Sequence, residues 1–173
     1  MLHQSQQELR RLKELHGYGV LDTPNEPEFD SIVHKAAGIC RTPIALISFV
    51  DEHRQWFKAK VGISVSETPR AISFCTHAIR TGQPTIVEDA SRDPRVANNP
   101  LVSGAPYLRF YLGVPLRTAS GARLGTLCVL DDKPRTPVPE QVTELEQLAE
   151  LVVSLLEERR ARAGSFAHHA AAA

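Results

Sequence analysis

A chain of 173 residues is long enough for one domain with ends and needs no staple to bury a core. Its 20 basic and 20 acidic residues cancel, which removes the clustered basic excess of a nucleic-acid binder. The N-terminus has no apolar signal core and no run approaches the ~20 apolar residues of a membrane span. Cys40, Cys75 and Cys128 lie far apart without a CxxC pair, which fits a reducing compartment. A cytoplasmic protein is expected, with neither nucleic acid nor membrane as partner.

The first element is a helix. SQQELRRLKELHG carries Ser5 and Glu8 at capping-box spacing, a narrow stripe of Leu9, Leu12 and Leu15, and Gly17 as a stop. So thin a stripe suits another helix better than a core, and residues 1–19 read as a dimerisation or signalling helix. A second helix is predicted over NEPEFDSIVHKAAGICRTP, with Asn25 and Glu28 as its cap. Phe29, Ile32, Val33, Ala36, Ala37 and Cys40 fall on one face of it, so Cys40 reads as a small core hydrophobe. PIALISFVD is apolar on both faces and predicts a central, doubly covered strand. Its neighbour, DEHRQWFKAKVG, alternates: Gln55, Phe57, Ala59 and Val61 face one way, Trp56, Lys58 and Lys60 the other.

PRAISFCTHAIRTG predicts a two-turn helix, Phe74 to Thr81, with Ser73 as N-cap and Gly82 and Pro84 behind it. Ala71, Phe74, Cys75 and Ala78 share the inward face. His77 sits roughly 200° around the helix from Cys75, so the pair does not chelate one metal, and no metal site is expected. A short strand follows at Thr85 to Val87. SRDPRVANNPLVSGAP then reads as a binding loop or lid, holding at most one-turn helices such as Asp93 to Ala97. Arg70, Asp89, Arg92 and Asp93 flank these segments, where their charges could meet across a pocket mouth.

YLRFYLGVPLRTASGARLGTLCVLDD predicts a hairpin turning at Ser120-Gly121. Arg109 and Tyr111 share one face of its first strand; Cys128 shares a face with Thr126 and Leu130 on the second. From Pro139 to Arg162 the pattern is helical. Leu145, Leu148, Val152 and Leu155 step as a heptad seam, widened by Ala149, Leu151 and Leu156, so residues 139–162 should cover the sheet and pair with a second copy. Residues 163–173, with His168 and His169 and no further ligands nearby, read as a disordered tail.

The segments PIALISFVDEHRQWFKAKVG, PRAISFCTHAI, FYLGVPL and GTLCVLD, in this order and spacing, resemble a GAF domain, with residues 20–138 as its core. The resemblance implies an α+β, PAS-related fold. A central antiparallel sheet of five to six strands would carry helices behind it, with short helices and loops in front over a pocket. Similar domains precede histidine kinases and diguanylate cyclases in bacteria. The implied function is a non-catalytic sensory or regulatory module, a homodimer that binds an unknown small molecule or relays a partner's signal to an output kinase or cyclase. The implied pocket residues are Phe74, Cys75, His77, Asp89, Arg92, Arg109 and Tyr111.

Two alternatives accompany that expectation: a dimerisation scaffold with a filled pocket, and a thiol redox switch or tetrapyrrole (bilin or haem) sensor through Cys75 or His77. Thr76 stands where bilin-binding members carry a His directly after the Cys. Residues 88–107 lack the loop cysteine of the sulfoxide reductase members, and the Asn-Lys-Phe-Asp-Glu set of cyclic-nucleotide members is absent. No cofactor is required.

Overall fold

Alternation along two long apolar strands divides the molecule into two cores, one on each side of a single sheet. The computed structural model describes residues 2–171, and side chains from 6 to 164. In chain order the elements are α1 (Leu2–Gly17), α2 (Pro27–Cys40), β1 (Ile44–Val50), β2 (Arg54–Val61), β3 (Glu67–Pro69), a 3-10 turn (Arg70–Ile72), α3 (Cys75–Thr81), β4 (Thr85–Val87), α4 (Pro100–Ser103), β5 (Phe110–Arg117), β6 (Arg123–Asp131) and α5 (Pro139–Ala171). The strands form one antiparallel sheet in the order β3-β2-β1-β6-β5-β4.

Behind the sheet, α2 covers β1 and β2, while α5 lies across β5 and packs on α2. Ile47, Phe49, Leu112, Val114, Leu127 and Val129 point back into this larger core. In front, Leu46, Val50, Phe57, Tyr111, Cys128 and Leu130 meet α3 and the loop of residues 88–109. β1 and β6 pair at the centre, placing Ser48 opposite Thr126 and Leu46 opposite Cys128.

Several local expectations are corrected. Ser5 lies inside α1, which begins at Leu2, and Glu8 turns instead to Arg11 (2.8 Å) and Arg70 (2.7 Å). Asn25 does not cap α2: Glu26 occupies that position without a side-chain bond, and Pro27 opens the helix, where a missing N–H costs nothing. The strict alternation expected along β2 breaks at a bulge, since Ile47 pairs Ala59 while Ser48 pairs Phe57. The extra residue is Lys58. Trp56, Lys58 and Ala59 all serve the back layer as a result, and Lys58 ends fully buried against Glu26 (2.5 Å), the Pro24 carbonyl (2.6 Å) and the Phe29 ring.

α5 continues to Ala171 rather than ending at 162, so the tail expected without structure is helical as far as that residue. The His168 and His169 side chains lie outside the described residues. Leu145 and Val152, expected in a dimer seam, are fully buried in the chain's own core, with Leu148 and Leu155 half-buried beside them. Among the described residues, the large exposed apolar side chains on the two long helices are Leu9 (65%) and Leu151 (43%).

Candidate functional site

The front layer is organised around the first residue of α3. α3 begins at Cys75, so Phe74, not Ser73, stands at its N-cap position, without a side-chain bond. Ser73 Oγ, one residue earlier, still accepts the Thr76 N–H (3.3 Å) and also bonds Gln55 of β2, which ties the helix start to the sheet. Gly82 ends α3 in the left-handed region, at φ 71°. This short helix drives Cys75 down onto the strands, where it is 1% exposed.

Its sulfur collects donors from two strands. Thr126 Oγ1 donates to Cys75 Sγ at 3.0 Å and Tyr111 OH at 3.4 Å, while Cys128 Sγ lies 3.9 Å away. Ser48 Oγ is buried on the same face; it meets no described group in full hydrogen-bond geometry but lies close enough to Cys75 to help lower its thiol. Burial pushes the Cys75 thiol up, but hydrogen bonds from Cys128, Thr126 and Tyr111 outweigh it and bring it below the usual cysteine range. Cys128 moves the other way, raised by burial and by its neighbour Cys75. Within the pair, the hydrogen bonds favour a thiolate on Cys75 over one on Cys128. Cys40 differs from both: burial, then Glu144, push its thiol up to about 11.

Tyr111 reaches Cys75 because Gly113, two residues on along the same face, leaves room. A Cβ at Gly113 would stand 2.7 Å from Tyr111 Cε1 and closer still to Cζ and the hydroxyl. The ring lies over that bare backbone and meets Phe74 at a centroid distance of 5.4 Å.

The structure separates the expected pocket residues into groups. Phe74, Cys75 and Tyr111 come together beneath α3. His77 faces away from the sulfur, over a cavity of about 10 Å³ shared with Phe74, Thr85, Val87, Arg95 and Val96. Burial, then repulsion from Arg80 and Arg95, lower its pKa. Arg109 does not meet a pocket: its guanidinium binds the carbonyls of Val102, Tyr107 and Leu108 at 3.0, 3.2 and 2.9 Å and holds the loop in shape. Asp89 caps a turn at Ser91, Arg92 is exposed, and Asp93 pairs with Arg95. Arg70 turns away from these charges to Glu8 and to the Asp51 carbonyl (3.0 Å).

The space in front is therefore filled by protein. A cavity of about 10 Å³ holds roughly one water, and a bilin or haem does not fit there without displacing Tyr111, Phe74 and the loop. Among the described residues no cluster of three His, Cys, Asp or Glu side chains is placed to hold a metal. No helix among them is long and apolar enough to cross a membrane.

Sequence reasoning left Ser48, Gly113, Thr126 and Cys128 out of the site. Ser48, a lone hydroxyl in the apolar run PIALISFVD, was the available signal. It also missed an open cleft of about 560 Å³ lined by His16, Asp51, Glu52, His53, Arg54 and Glu67. There Arg54 is already matched by Asp22, Asp51 and Glu67, and His16 by Asp51 at 2.8 Å.

Three comparisons bear on this arrangement. The family model for the GAF domain matches residues 6–156. A cyclic di-GMP phosphodiesterase of Pseudomonas aeruginosa is 46% identical over 137 residues, 79% of this chain but 23% of that protein's length. Among solved structures, the GAF domain of an Acinetobacter phosphoenolpyruvate-protein phosphotransferase is similar with a TM-score of 0.67 at 18% identity, covering 89% of this chain and 95% of that one. The PixJ GAF domain of Thermosynechococcus elongatus, in its blue-light absorbing form, gives 0.65 at 17%, covering 83% and 92%. Identities this low speak for the fold alone. With the family model spanning most of the sequence and these neighbours sharing its sheet and layers, the chain belongs to the GAF domain family.

Proposed function

We propose that the chain is a non-catalytic sensory or regulatory module that passes the state of its front layer to the helices behind the sheet, and through them to an output protein. The observation that carries this reading is the division of β5. Tyr111 faces forward onto Cys75, while Phe110, Leu112 and Val114 face back into the core that α5 completes. A change beneath α3 moves the strand on which α5 rests. Residues 20–138 form the core in this reading, and α1 and α5 are the relaying helices.

The Pseudomonas relative suggests the output class, an enzyme of cyclic di-GMP turnover; a kinase or cyclase would use the same relay. A homodimer would bury Leu9 and Leu151, with half-buried Leu148 and Leu155 beside the latter. Three unbridged thiols suit a cytoplasmic setting.

The filled front layer favours a second reading, a scaffold that dimerises without a ligand. Native mass spectrometry with an absorption spectrum, on protein taken from its host, separates the two. A bound non-protein mass or a visible band supports sensing. An empty, colourless dimer supports the scaffold, and an empty monomer removes the helical pairing from both.

A further inference from the structure

Hydroxyl and thiol groups converge on one sulfur in a layer otherwise aliphatic and aromatic. Cys75 Sγ accepts from Thr126 (3.0 Å) and Tyr111 (3.4 Å), with Cys128 Sγ at 3.9 Å and the buried Ser48 Oγ on the same face. A packing core needs none of these groups, because valine at positions 48 and 126 would fill the space without burying a hydroxyl. The third thiol shows what a structural cysteine looks like in this chain: Cys40 sits on the apolar face of α2 among the back-core hydrophobes. The front pair is built differently, with two sulfurs in van der Waals contact and O–H donors aimed at one of them.

We propose that Cys75 and Cys128 form a hydroperoxide-reactive dithiol that closes to an internal disulfide beneath α3. Cys75 loses its proton, and the thiolate attacks one oxygen of the hydroperoxide, breaking the O–O bond. The other oxygen takes a proton and leaves as an alcohol, or as water when the reagent is hydrogen peroxide. Cys75 is left as a sulfenic acid. The Cys128 sulfur then attacks the Cys75 sulfur and breaks the S–OH bond, and the hydroxide leaves as water with the Cys128 proton. Together the two sulfurs give up two electrons and the peroxide accepts them.

Closure moves the sulfurs from 3.9 Å to about 2.05 Å, within reach of side-chain rotation at the first residue of a seven-residue helix. The cavity of about 10 Å³ under Phe74 and His77 admits a water-sized molecule beside α3, and local opening of so short a helix completes the path. A dithiol reductant reverses the bond. Any effect on an output rests on the regulatory reading above; the bond itself does not, so the test reads the bond.

Reduced wild-type protein is desalted, exposed to a modest excess of hydrogen peroxide, denatured, alkylated and weighed. The expected product has lost about 2 Da before alkylation, carries one alkylated cysteine instead of three, and gives a non-reduced peptide joining Cys75 to Cys128. Dithiothreitol restores all three thiols. Cys40→Ser reacts as wild type does, and Cys128→Ser gives a Cys75 sulfenic acid trapped by dimedone. Tyr111→Phe slows closure about fivefold and moves its pH dependence upward, as loss of one weak hydrogen bond to the thiolate requires. Three alkylatable thiols after peroxide overturn the proposal, as do a bridge through Cys40, a bridge between chains, or oxidation of single cysteines without a bridge.

Discussion

Replacing Gly113 with alanine should destabilise the protein only while Tyr111 is present. The backbone at Gly113 lies outside the left-handed region, so alanine is allowed there, and in a strand interior it would by itself gain about 0.5–1 kcal/mol. The obstacle is one side chain. The new Cβ would stand 2.7 Å from Tyr111 Cε1 and closer still to Cζ and the hydroxyl, and Tyr111 is fully buried with nowhere to retreat. Overpacking of this kind costs about 1–3 kcal/mol. In a Tyr111→Leu background the apolar fill remains but nothing reaches across position 113, so Gly113→Ala should become neutral or stabilising. Urea unfolding of the four proteins reads this directly as shifts in midpoint at constant slope, with a coupling of about 2 kcal/mol between the two sites. An equal loss in both backgrounds would refute the placement of the ring over Gly113.

Gly125→Ala should be far worse, because its Cβ would meet backbone, 2.8 Å from Phe49 Cα, which does not move aside; a loss above about 4 kcal/mol, or insoluble protein, is expected by urea unfolding or circular dichroism. Lys58→Met removes the cation that joins Glu26 to the Pro24 carbonyl behind the sheet. Glu26 is partly exposed and keeps Arg159 at 3.0 Å, so the loss should stay near 1–3 kcal/mol, and a neutral result would mean that Lys58 is not buried as described. Hydrogen bonds from Arg11, opposed by burial and aided by Arg70, hold the Glu8 carboxyl at about 2 instead of 4.5. A depressed carboxylate stabilises fully above its unfolded value and loses that contribution as pH falls through the folded one. Glu8→Gln should therefore flatten the fall in urea midpoint between pH 4.5 and 2, and an unchanged slope there would disprove the Arg11–Glu8–Arg70 link.

What the sequence made legible follows from how strongly each segment repeats. α2, β1, β5 and β6 carry long apolar patterns, and their places agree with the structure. β3 has three residues, Glu67–Pro69, and no pattern to read. The bulge at Lys58 is invisible because one inserted residue leaves the letters of β2 alternating while the chain does not. The steps Leu145, Leu148, Val152 and Leu155 were real periodicity, but a heptad count does not distinguish a helix's own sheet from a second copy, and Leu145 and Val152 went to the sheet. Cys75 was readable as inward-facing from its helix alone. Its partners come from β1, β5 and β6, brought together by strand register rather than by spacing along the chain, and the filling of the front space depends on where the 88–109 loop folds back.

The claim that the sheet relays front to back is tested most directly by hydrogen exchange on the intact chain, comparing wild type with Gly113→Ala. The substitution displaces Tyr111 in front without touching a back-layer side chain. If β5 carries the change, amide protection in α5 between Leu145 and Leu156 shifts, as in α3, by more than the uniform fall that the lower global stability brings to the other core amides. If the extra shift stays within α3, β5 and the front loop while α5 changes only by that uniform fall, the relay does not exist.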